Sequence, residues 1–368
     1  MQTLEPKIAL GLYSDSAAVY INACLLKTDG LDVLEEPISL TRPYSPELRE
    51  KILSLKYPDD LTDSERFNQL NNEITQEHFA VAQELLKQVE RSIPCLDVVG
   101  YSGYTVHHRS SDKSDVYFGN SDLLANRLNI PVIDRFAQTD MKAGGTGGPL
   151  LSTFIEAITR HQPKPLVVLS LGGITRLTYI GVLGQQYGFD VGVGCLLLDR
   201  WLQRHAGIEM DFGGVWAEKG QVNQRLLDYL LKTPYLSKVP PKTLDKNDFN
   251  QLLEHVEGCS PVDGAATLMA FIVQSIVQAQ QFLPDKPAKW LLNGGGTLNP
   301  GIVLRLKQAL SAPVETMKEA NMLHYNLDAA GYAFLAVRSM MQLPITFPET
   351  TGVEQPMTGG IRHSVNQA

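Results

Sequence analysis

The sequence predicts a two-lobed α/β protein. The chain has 368 residues, of which 43% are hydrophobic and 20% charged, and this is enough for two domains with substantial cores. Strand-like runs and amphipathic helical patterns alternate along the chain, which is typical of α/β architecture. The run Leu166–Leu171 (LVVLSL) is continuously apolar, as a buried central strand requires.

The first lobe, residues 1–148, begins with a β-hairpin whose short polar turn is Ser14-Asp15-Ser16. The capping-box pattern Thr62-Asp63-Ser64-Glu65 predicts the start of a long helix. A glycine-rich segment, residues 134–149, ends the lobe. The predicted elements are strands Lys7–Tyr13 and Ala17–Leu26, helix Asp63–Val89, strand Leu96–Tyr101, helix Ser121–Leu128 with Asn120 or Ser121 as its cap, and strand Ile130–Ile133.

The second lobe, residues 149–368, starts with a helix that has proline in its first turn. Its last segment either stays in this lobe or returns to the first one. The predicted elements are helix Pro149–Arg160, strands Leu166–Leu171, Leu177–Ile180 and Tyr187–Asp190, helix Cys195–Arg204, strand Trp290–Asn293, and helices Pro300–Leu310 and Asp328–Met341.

Composition argues against several classes of partner. The net charge is −8, the pI is near 5.5 and there is no run of Lys or Arg, so we expect no nucleic-acid or membrane partner. The cysteines Cys24, Cys95, Cys195 and Cys259 form no CxxC pair and show no metal-ligand spacing, which predicts reduced thiols and no metal site. The N-terminus does not resemble a signal peptide, and no apolar run approaches the roughly 18–20 residues of a membrane helix. We therefore expect a cytoplasmic protein.

Three glycine-containing turns each follow a predicted strand: Gly172-Gly173, Gly192 with Gly194, and Gly294-Gly295-Gly296. Glycine lets backbone N–H groups approach phosphate oxygens without a Cβ in the way. Each turn alone is a weak signal, because most such pairs are only turns. Asp190, beside the second turn, could act as a general base, but a turn-forming aspartate is an equally good interpretation.

The order of these turns is more informative than any one of them. A hairpin turn near the N-terminus, a strand–Gly-Gly–strand in mid-chain and a late Gly-rich turn before a helix resemble the actin–hexokinase superfamily. That resemblance implies a two-lobed actin-like ATPase/sugar-kinase fold with a ligand cleft between the lobes. The nucleotide-binding residues that it implies are Ser14, Asp15, Ser16, Ala17, Gly172, Gly173, Gly294, Gly295, Gly296 and Asn299.

More specific motifs resemble one family, the bacterial anhydro-N-acetylmuramic acid kinases, over nearly the whole chain. They are Ala143–Leu150 (AGGTGGPL), Gly188-Phe189-Asp190 with Gly192 and Gly194, Gly214–Gly220 (GVWAEKG), Pro240–Thr243 leading to Asp248–Asn250, Gly294–Gly296 with Asn299-Pro300, and Thr351-Gly352 with Gly359–Ile361.

This resemblance implies a kinase that uses ATP and Mg²⁺ and opens the 1,6-anhydro ring of a muramic acid recovered from cell-wall turnover. Water adds at the anomeric carbon while the freed 6-oxygen is phosphorylated. Asp190 matches the family's general base, and the chain is expected to be a homodimer. The substrate-binding residues implied in the same way are Thr105, His108, Arg109, Asp140 and Asp328.

The chain departs from the family pattern at the first hairpin. The family reads Ser-Gly-Thr-Ser-x-Asp-Gly-x-Asp where this chain reads Ser14–Asn22 (SDSAAVYIN), so Asp15 replaces a glycine where phosphate should approach. A carboxylate about 4 Å from a phosphate costs on the order of 1–4 kcal/mol, or roughly a ten- to thousandfold loss of affinity. Three basic residues are also lost within Arg135–Asp140, and Arg176 replaces an asparagine.

Two functional hypotheses follow. The first is a working anhydrosugar kinase, supported by Asp190 and the retained glycine turns. The second is a pseudokinase-like protein that binds a sugar, a nucleotide or a partner without turnover, supported by the altered first hairpin. A purely structural or assembly role has no positive feature in the sequence.

Overall fold

The structure, a computed structural model, describes residues 5–15, 17–55, 64–89, 95–109, 113–245, 248–322 and 326–365. Ser16, Thr62 and Asp63, which the predictions above use, lie outside these ranges. The strands in the described residues are β1 (Lys7–Ser14), β2 (Tyr20–Thr28), β3 (Ile38–Pro43), β4 (Val98–Tyr101), β5 (Tyr104–Arg109), β6 (Ser114–Phe118), β7 (Val132–Asp134), β8 (Leu166–Leu171), β9 (Ile174–Ile180), β10 (Gln186–Val193), β11 (Lys289–Asn293), β12 (Val314–Thr316) and β13 (Ile361–His363).

The described residues also form α-helices, and short 3₁₀ turns lie at 212–214, 280–282 and 295–298. The helices are α1 (Pro46–Leu53), α2 (Ser64–Val89), α3 (Ser121–Leu128), α4 (Phe136–Lys142), α5 (Ser152–Ile158), α6 (Leu196–Ala206), α7 (Val215–Lys219), α8 (Gln224–Leu230), α9 (Pro234–Ser237), α10 (Leu252–Val256), α11 (Pro261–Ala279), α12 (Pro300–Ala309), α13 (Leu327–Met340) and α14 (Pro348–Thr351).

The chain divides into two compact units. The first contains Met1–Arg160 and Leu323–Ala368, and the second contains His161–Met322. The boundary that we expected after residue 148 therefore lies inside the first unit. Helix α5 belongs there because Phe154 packs on Phe334 of α13 with ring centroids 5.5 Å apart. The last segment belongs there because α13 packs on β1, β2 and β4.

The first unit is built on a six-stranded sheet in the order β13-β7-β4-β1-β2-β3. Strand β1 pairs antiparallel with β2 and parallel with β4. Glycines let α13 lie directly on this sheet: a Cβ at Gly11 would be 1.7 Å from the Ala329 carbonyl oxygen, and one at Gly100 would be 2.0 Å from that of Tyr332. Only residues without a Cβ permit so close an approach.

The C-terminal strand β13 is attached to β7 through a histidine as well as by backbone pairing. His363 Nδ1 lies 2.8 Å from Asp122 Oδ1, and its Nε2 lies 3.0 Å from Asp134 Oδ1. The Asp134 carboxylate is fully buried and also accepts hydrogen bonds from the hydroxyls of Tyr117 and Ser121. The hydrogen bond with Asp134, and then that with Asp122, raise the pKa of His363 against the opposing effect of burial.

We expect the stabilisation contributed by His363 to decrease as the pH rises. Because its pKa is higher in the folded than in the unfolded protein, the contribution is complete below about pH 6.5 and is lost as the pH passes the folded-state pKa. Urea unfolding of the wild type and His363→Asn between about pH 5.5 and 9 measures it. The exposed His161 supplies a control variant, His161→Asn. A free-energy difference that is the same at every pH would contradict this expectation.

The second unit is built on a five-stranded sheet in the order β10-β9-β8-β11-β12. Strands β8, β9 and β10 are antiparallel neighbours, whereas β11 is parallel to both β8 and β12. Helices α6 and α11 cover the sheet through one apolar cluster that includes Trp201, Phe271 and Trp290. The predicted α/β fold with two lobes is confirmed in its classes of element and in its division into two units.

The expectation that no apolar run approaches the length of a membrane helix was wrong. Among the described residues, the helical segment Pro261–Phe282 is long and apolar enough to cross a membrane by length and composition alone. However, 67% of its most apolar window is buried inside the protein. Packing in the core of the second unit therefore accounts for its apolar character.

Several predicted bounds are confirmed and others are not. Strand β8 and helix α3 have the predicted bounds, and the Asn120 side chain caps α3 by accepting a hydrogen bond from Leu123 N at 3.0 Å. Helix α5 begins at Ser152 rather than Pro149. Strand β2 begins at Tyr20 rather than Ala17, because the first hairpin has a longer turn than the sequence pattern indicated.

Candidate functional site

The turn of the first hairpin, between β1 and β2, is organised by the carboxylate of Asp15. Its Oδ1 accepts a hydrogen bond from Ala17 N at 2.9 Å, and Val19 N lies 3.2 and 3.1 Å from the two oxygens. Tyr20 N donates to Oδ2, and Ala18 adopts a φ of 53°. The backbone donors that a phosphate would need at this turn are thus occupied by an anionic group of the chain itself.

The hydroxyl of Ser14 is also occupied within the first unit. His78 is fully buried, which lowers its pKa to about 4, and its Nδ1 donates to the Ile74 carbonyl oxygen at 2.8 Å. Its Nε2 therefore accepts the Ser14 hydroxyl proton at 2.7 Å, and Tyr44 donates to Ser14 Oγ at 2.5 Å. No sequence pattern pointed to His78, which is one polar residue within the long amphipathic helix α2.

The glycine-rich segment after α4 is held by two of the predicted substrate residues. Asp140 is 1% exposed, and its carboxylate accepts hydrogen bonds from Gly147 N at 2.8 Å and Thr351 Oγ1 at 2.7 Å. His108 Nε2 donates to the Thr146 carbonyl oxygen at 3.1 Å, while its Nδ1 lies 3.1 Å from Asp115 Oδ1. The structure therefore brings His108 and Asp140 together on one loop.

Crowding explains why this loop is rich in glycine. A Cβ at Gly145 would lie 2.1 Å from Asp140 Oδ2, and one at Gly147, whose φ is +78°, would lie 2.6 Å from His108 Cε1. The other predicted substrate residues of this unit are not in the loop. Thr105 and Arg109 are exposed on β5, and Asp328 is half-buried in the first turn of α13. Contact of all these residues with substrate stays a prediction.

The glycine turns of the second unit lie together. The carbonyl oxygen of Gly172 accepts from Cys195 N at 2.9 Å, and that of Gly173 accepts from Gly194 N at 2.8 Å. Gly294 has a φ of +90°, and a Cβ there would lie 2.6 Å from the Leu171 carbonyl oxygen. A Cβ on Gly296 would lie 2.8 Å from that of Leu171 and 3.0 Å from Cys195 Sγ. All three turns thus meet at the ends of β8 and β11, before α6 and α12.

The loop after β11 combines an open side with a structural anchor. A Cβ built on Gly295 would meet nothing within 4 Å, so the backbone is accessible there. Asn299, in contrast, is 5% exposed, and its Oδ1 accepts from Gly301 N at 3.0 Å and Ile302 N at 3.3 Å. Its side chain is therefore the N-cap of α12. A role in nucleotide binding stays a prediction for both residues.

Asp190 is 3% exposed and is held on β10 through both its backbone and its carboxylate. Arg176 Nε donates to its Oδ1 at 3.2 Å, and Leu244 N donates to its Oδ2 at 2.9 Å. Its own N–H donates to the Lys242 carbonyl oxygen at 3.0 Å, and Tyr235 donates its hydroxyl to the Asp190 carbonyl oxygen at 3.0 Å.

This environment decides what Asp190 can do chemically. An ionised carboxylate offers about four acceptor positions, so two remain for a water or a hydroxyl. The sequence marked Asp190 and Arg176 individually, but it gave no signal for their pairing or for the parts played by Tyr235 and Leu244. The pairing is set by the register of β9 and β10 in the structure, in which Asp190 lies directly opposite Arg176.

The units separately carry the parts of a phosphotransferase. The second has converging glycine turns and an oriented, buried aspartate, and the first has a β-hairpin whose turn backbone can bind an anion. Such features are typical of phosphotransferases.

Comparison with known proteins agrees with that class. The family model described as anhydro-N-acetylmuramic acid kinase matches residues 7–364. The anhydro-N-acetylmuramic acid kinase of Rhodospirillum rubrum is 37% identical over 353 residues, covering 96% of this chain and 93% of its own. That of Paramagnetospirillum magneticum is 35% identical over 357 residues, covering 97% and 99%. The chain belongs to the anhydro-N-acetylmuramic acid kinase family.

A solved structure is similar at a lower level. The ligand-bound xylulose kinase from Lactobacillus acidophilus is 11% identical, with a TM-score of 0.45 and coverage of 98% of this chain and 94% of that one.

Proposed function

We propose that this protein is an ATP-dependent kinase that opens and phosphorylates 1,6-anhydro-N-acetylmuramic acid. Water adds to C1 as the C1–O6 bond breaks, O6 takes the γ-phosphoryl group of ATP, and ADP leaves. Asp190 takes the proton of the attacking water. The observation that carries this proposal is the buried, doubly hydrogen-bonded carboxylate of Asp190 on the strand that leads to the glycine turns.

The glycine turns of the second unit fit a nucleotide. Gly295 has open space on the side where its Cβ would be, and at Gly172 the nearest atom to such a Cβ is 3.4 Å away. Side chains at these positions would obstruct the approach of phosphate or ribose to the backbone. We infer that these turns bind ATP through backbone groups.

Bound Mg²⁺ would neutralise charge on the β- and γ-phosphates. The described residues contain no group of three His, Cys, Asp or Glu side chains that could hold a metal ion. Such a group is not required, because Mg²⁺ at phosphates usually keeps several waters and binds through phosphate oxygens and one or two carboxylates.

The first hairpin is proposed to bind phosphate weakly. The Asp15 carboxylate already accepts hydrogen bonds from Ala17, Val19 and Tyr20. A phosphate can use the same donors only if this carboxylate moves away, and a carboxylate that stays nearby repels it. We infer that the hairpin is degenerate as a phosphate clamp and that ATP affinity depends mainly on the second unit.

Incubation with radiolabelled ATP, Mg²⁺ and 1,6-anhydro-N-acetylmuramic acid tests the proposed reaction. We expect a labelled 6-phosphosugar whose C1 oxygen comes from solvent, which ¹⁸O-labelled water makes visible by mass spectrometry. The absence of sugar phosphate above background at high enzyme concentration would contradict the proposal for this substrate.

A thermal-shift titration with Mg-ATP shows whether protein that makes no sugar phosphate still binds nucleotide. A nucleotide that binds only the folded protein adds about 2.7 kcal/mol of stability at 100 times its Kd. Stabilisation without product would identify a pseudokinase-like binding protein.

We further propose that the protein acts in the cytoplasm, with a small-molecule sugar and a nucleotide as partners, and as a homodimer. Sedimentation velocity tests the oligomeric state.

A further inference from the structure

We propose that Lys242 is a positioning residue that holds Asp190 in place for water activation. This inference rests on the function proposed above. Lys242 itself contacts no reacting atom in the proposed reaction. It acts through the neighbouring backbone, which is hydrogen-bonded to Asp190.

The ammonium group of Lys242 is fixed inside the second unit. The residue is 1% exposed, and Nζ donates to the carbonyl oxygens of Tyr235 at 3.0 Å and Leu236 at 3.4 Å. Nζ also lies 4.8 Å from the ring centroids of both Tyr235 and Phe282, and 5.7 Å from that of Phe189. A desolvated cation is attracted to the faces of such rings, so the ammonium joins the segment around Lys242 to the end of α9.

The same segment holds Asp190. The Lys242 carbonyl oxygen accepts from Asp190 N at 3.0 Å, and Leu244 N donates to Asp190 Oδ2 at 2.9 Å. Tyr235, whose ring and carbonyl oxygen contact Nζ, donates its hydroxyl to the Asp190 carbonyl oxygen. Two of the chain segments that orient Asp190 are therefore linked through the Lys242 side chain.

The charge of the Lys242 side chain depends on pH. Burial, and then the nearby Lys238, lower the pKa of Lys242 to about 8, although Asp190 opposes this effect. Burial raises the pKa of Tyr235, so that its hydroxyl stays protonated, while Asp190, Asp248 and Arg176 are the charged groups around it. Above about pH 8 the ammonium therefore becomes an amine and its attraction to the carbonyl oxygens and rings weakens.

Lys242→Met separates positioning from simple packing. Methionine fills similar space and removes a buried charge, but it also removes the hydrogen bonds to two carbonyl oxygens. These effects oppose each other, so the melting temperature should change little. We expect kcat to fall about ten- to a hundredfold, as for a displaced catalytic group, while both KM values stay within about twofold. In the wild type kcat should fall as the pH rises through about 8, and this fall should be absent in Lys242→Met. Lys242→Arg, which keeps the charge, should recover part of the rate.

A second measurement does not depend on activity. Amide hydrogen exchange at Asp190 and Leu244 should be faster in Lys242→Met than in the wild type, while exchange in β8 should be unchanged. The exposed Lys232 supplies a matched control, Lys232→Met, which should change none of these quantities. The wild-type pH profile tests the idea even if Lys242→Met does not fold.

The outcomes distinguish this inference from the proposed function. Unchanged kcat in a folded Lys242→Met, or unchanged exchange at both amides, overturns the positioning role. Wild-type protein that makes no sugar phosphate overturns the proposed function instead, and exchange then still decides whether Lys242 holds Asp190.

Discussion

We expect Asp190→Asn to lower kcat by about 10²–10⁴-fold, the usual contribution of a general base. The amide has nearly the same shape as the carboxylate but cannot take a proton from water. KM for ATP should change much less, because the glycine turns that we propose as the nucleotide site do not include this side chain. Single-turnover assays with radiolabelled ATP and the anhydrosugar measure the effect on the chemical step.

The main risk in this experiment is a structural effect of the substitution. Arg176 Nε and Leu244 N donate to different oxygens of the carboxylate. In asparagine one of these oxygens is replaced by an NH₂ group, which cannot accept a hydrogen bond, so one of the two donors loses its partner. One lost partner costs about 1–3 kcal/mol, so the melting temperature and the ATP-induced thermal shift must be measured as well. Asp228→Asn is a suitable control, because Asp228 is an exposed acid in the same unit that pairs with Gln224. A folded Asp190→Asn that turns over within tenfold of wild type would refute the general-base role.

Asp15→Gly should tighten ATP binding by about tenfold or more, up to the thousandfold that corresponds to roughly 4 kcal/mol. The substitution frees the N–H groups of Ala17, Val19 and Tyr20 and removes a negative charge from the position that phosphate needs. Isothermal titration calorimetry with Mg-ATP measures the change. If the proposed reaction occurs, KM for ATP should fall in parallel.

The loss of turn hydrogen bonds must be separated from the gain in affinity. Asp29 provides the control, because its carboxylate likewise accepts from backbone N–H groups, those of Leu31 at 2.9 Å and Asp32 at 2.8 Å. Both Asp29→Gly and Asp15→Gly should lower the free energy of unfolding, but Asp29→Gly should leave ATP affinity unchanged. Equal affinities of wild type and Asp15→Gly would show that this hairpin does not contact the nucleotide.

Local sequence patterns predicted much of the fold. The continuous apolar run Leu166–Leu171 predicted β8 with its observed bounds, because a strand buried on both faces leaves that signature in adjacent residues. Asn120 before an amphipathic stretch predicted the start of α3 for an equally local reason. In contrast, the pattern of α13 shows only that the helix is buried. Its place on the first sheet depends on Gly11 and Gly100, which are remote in sequence.

The candidate site was predicted only in part. Strand-then-glycine patterns identified Gly172 and Gly294, and the structure shows that both turns lie beside Leu171. The pattern of the first hairpin could not give the direction of the Asp15 side chain. An aspartate in a turn can face solvent or fold back, and here the N–H groups of the longer turn bind it.

By itself, the sequence determined the α/β class, the family and the identity of Asp190 as the candidate base, because glycine turns, apolar runs and motifs are properties of neighbouring residues. Only the tertiary structure decided which groups hold that base and which occupy the first hairpin. Asp190 is contacted by Arg176 of β9, by Tyr235 of α9, and by Lys242 and Leu244 of the segment after α9. Their meeting depends on how these elements and β10 pack. Such contacts follow from burial and hydrogen bonding among residues that are far apart in the chain, which no local pattern records.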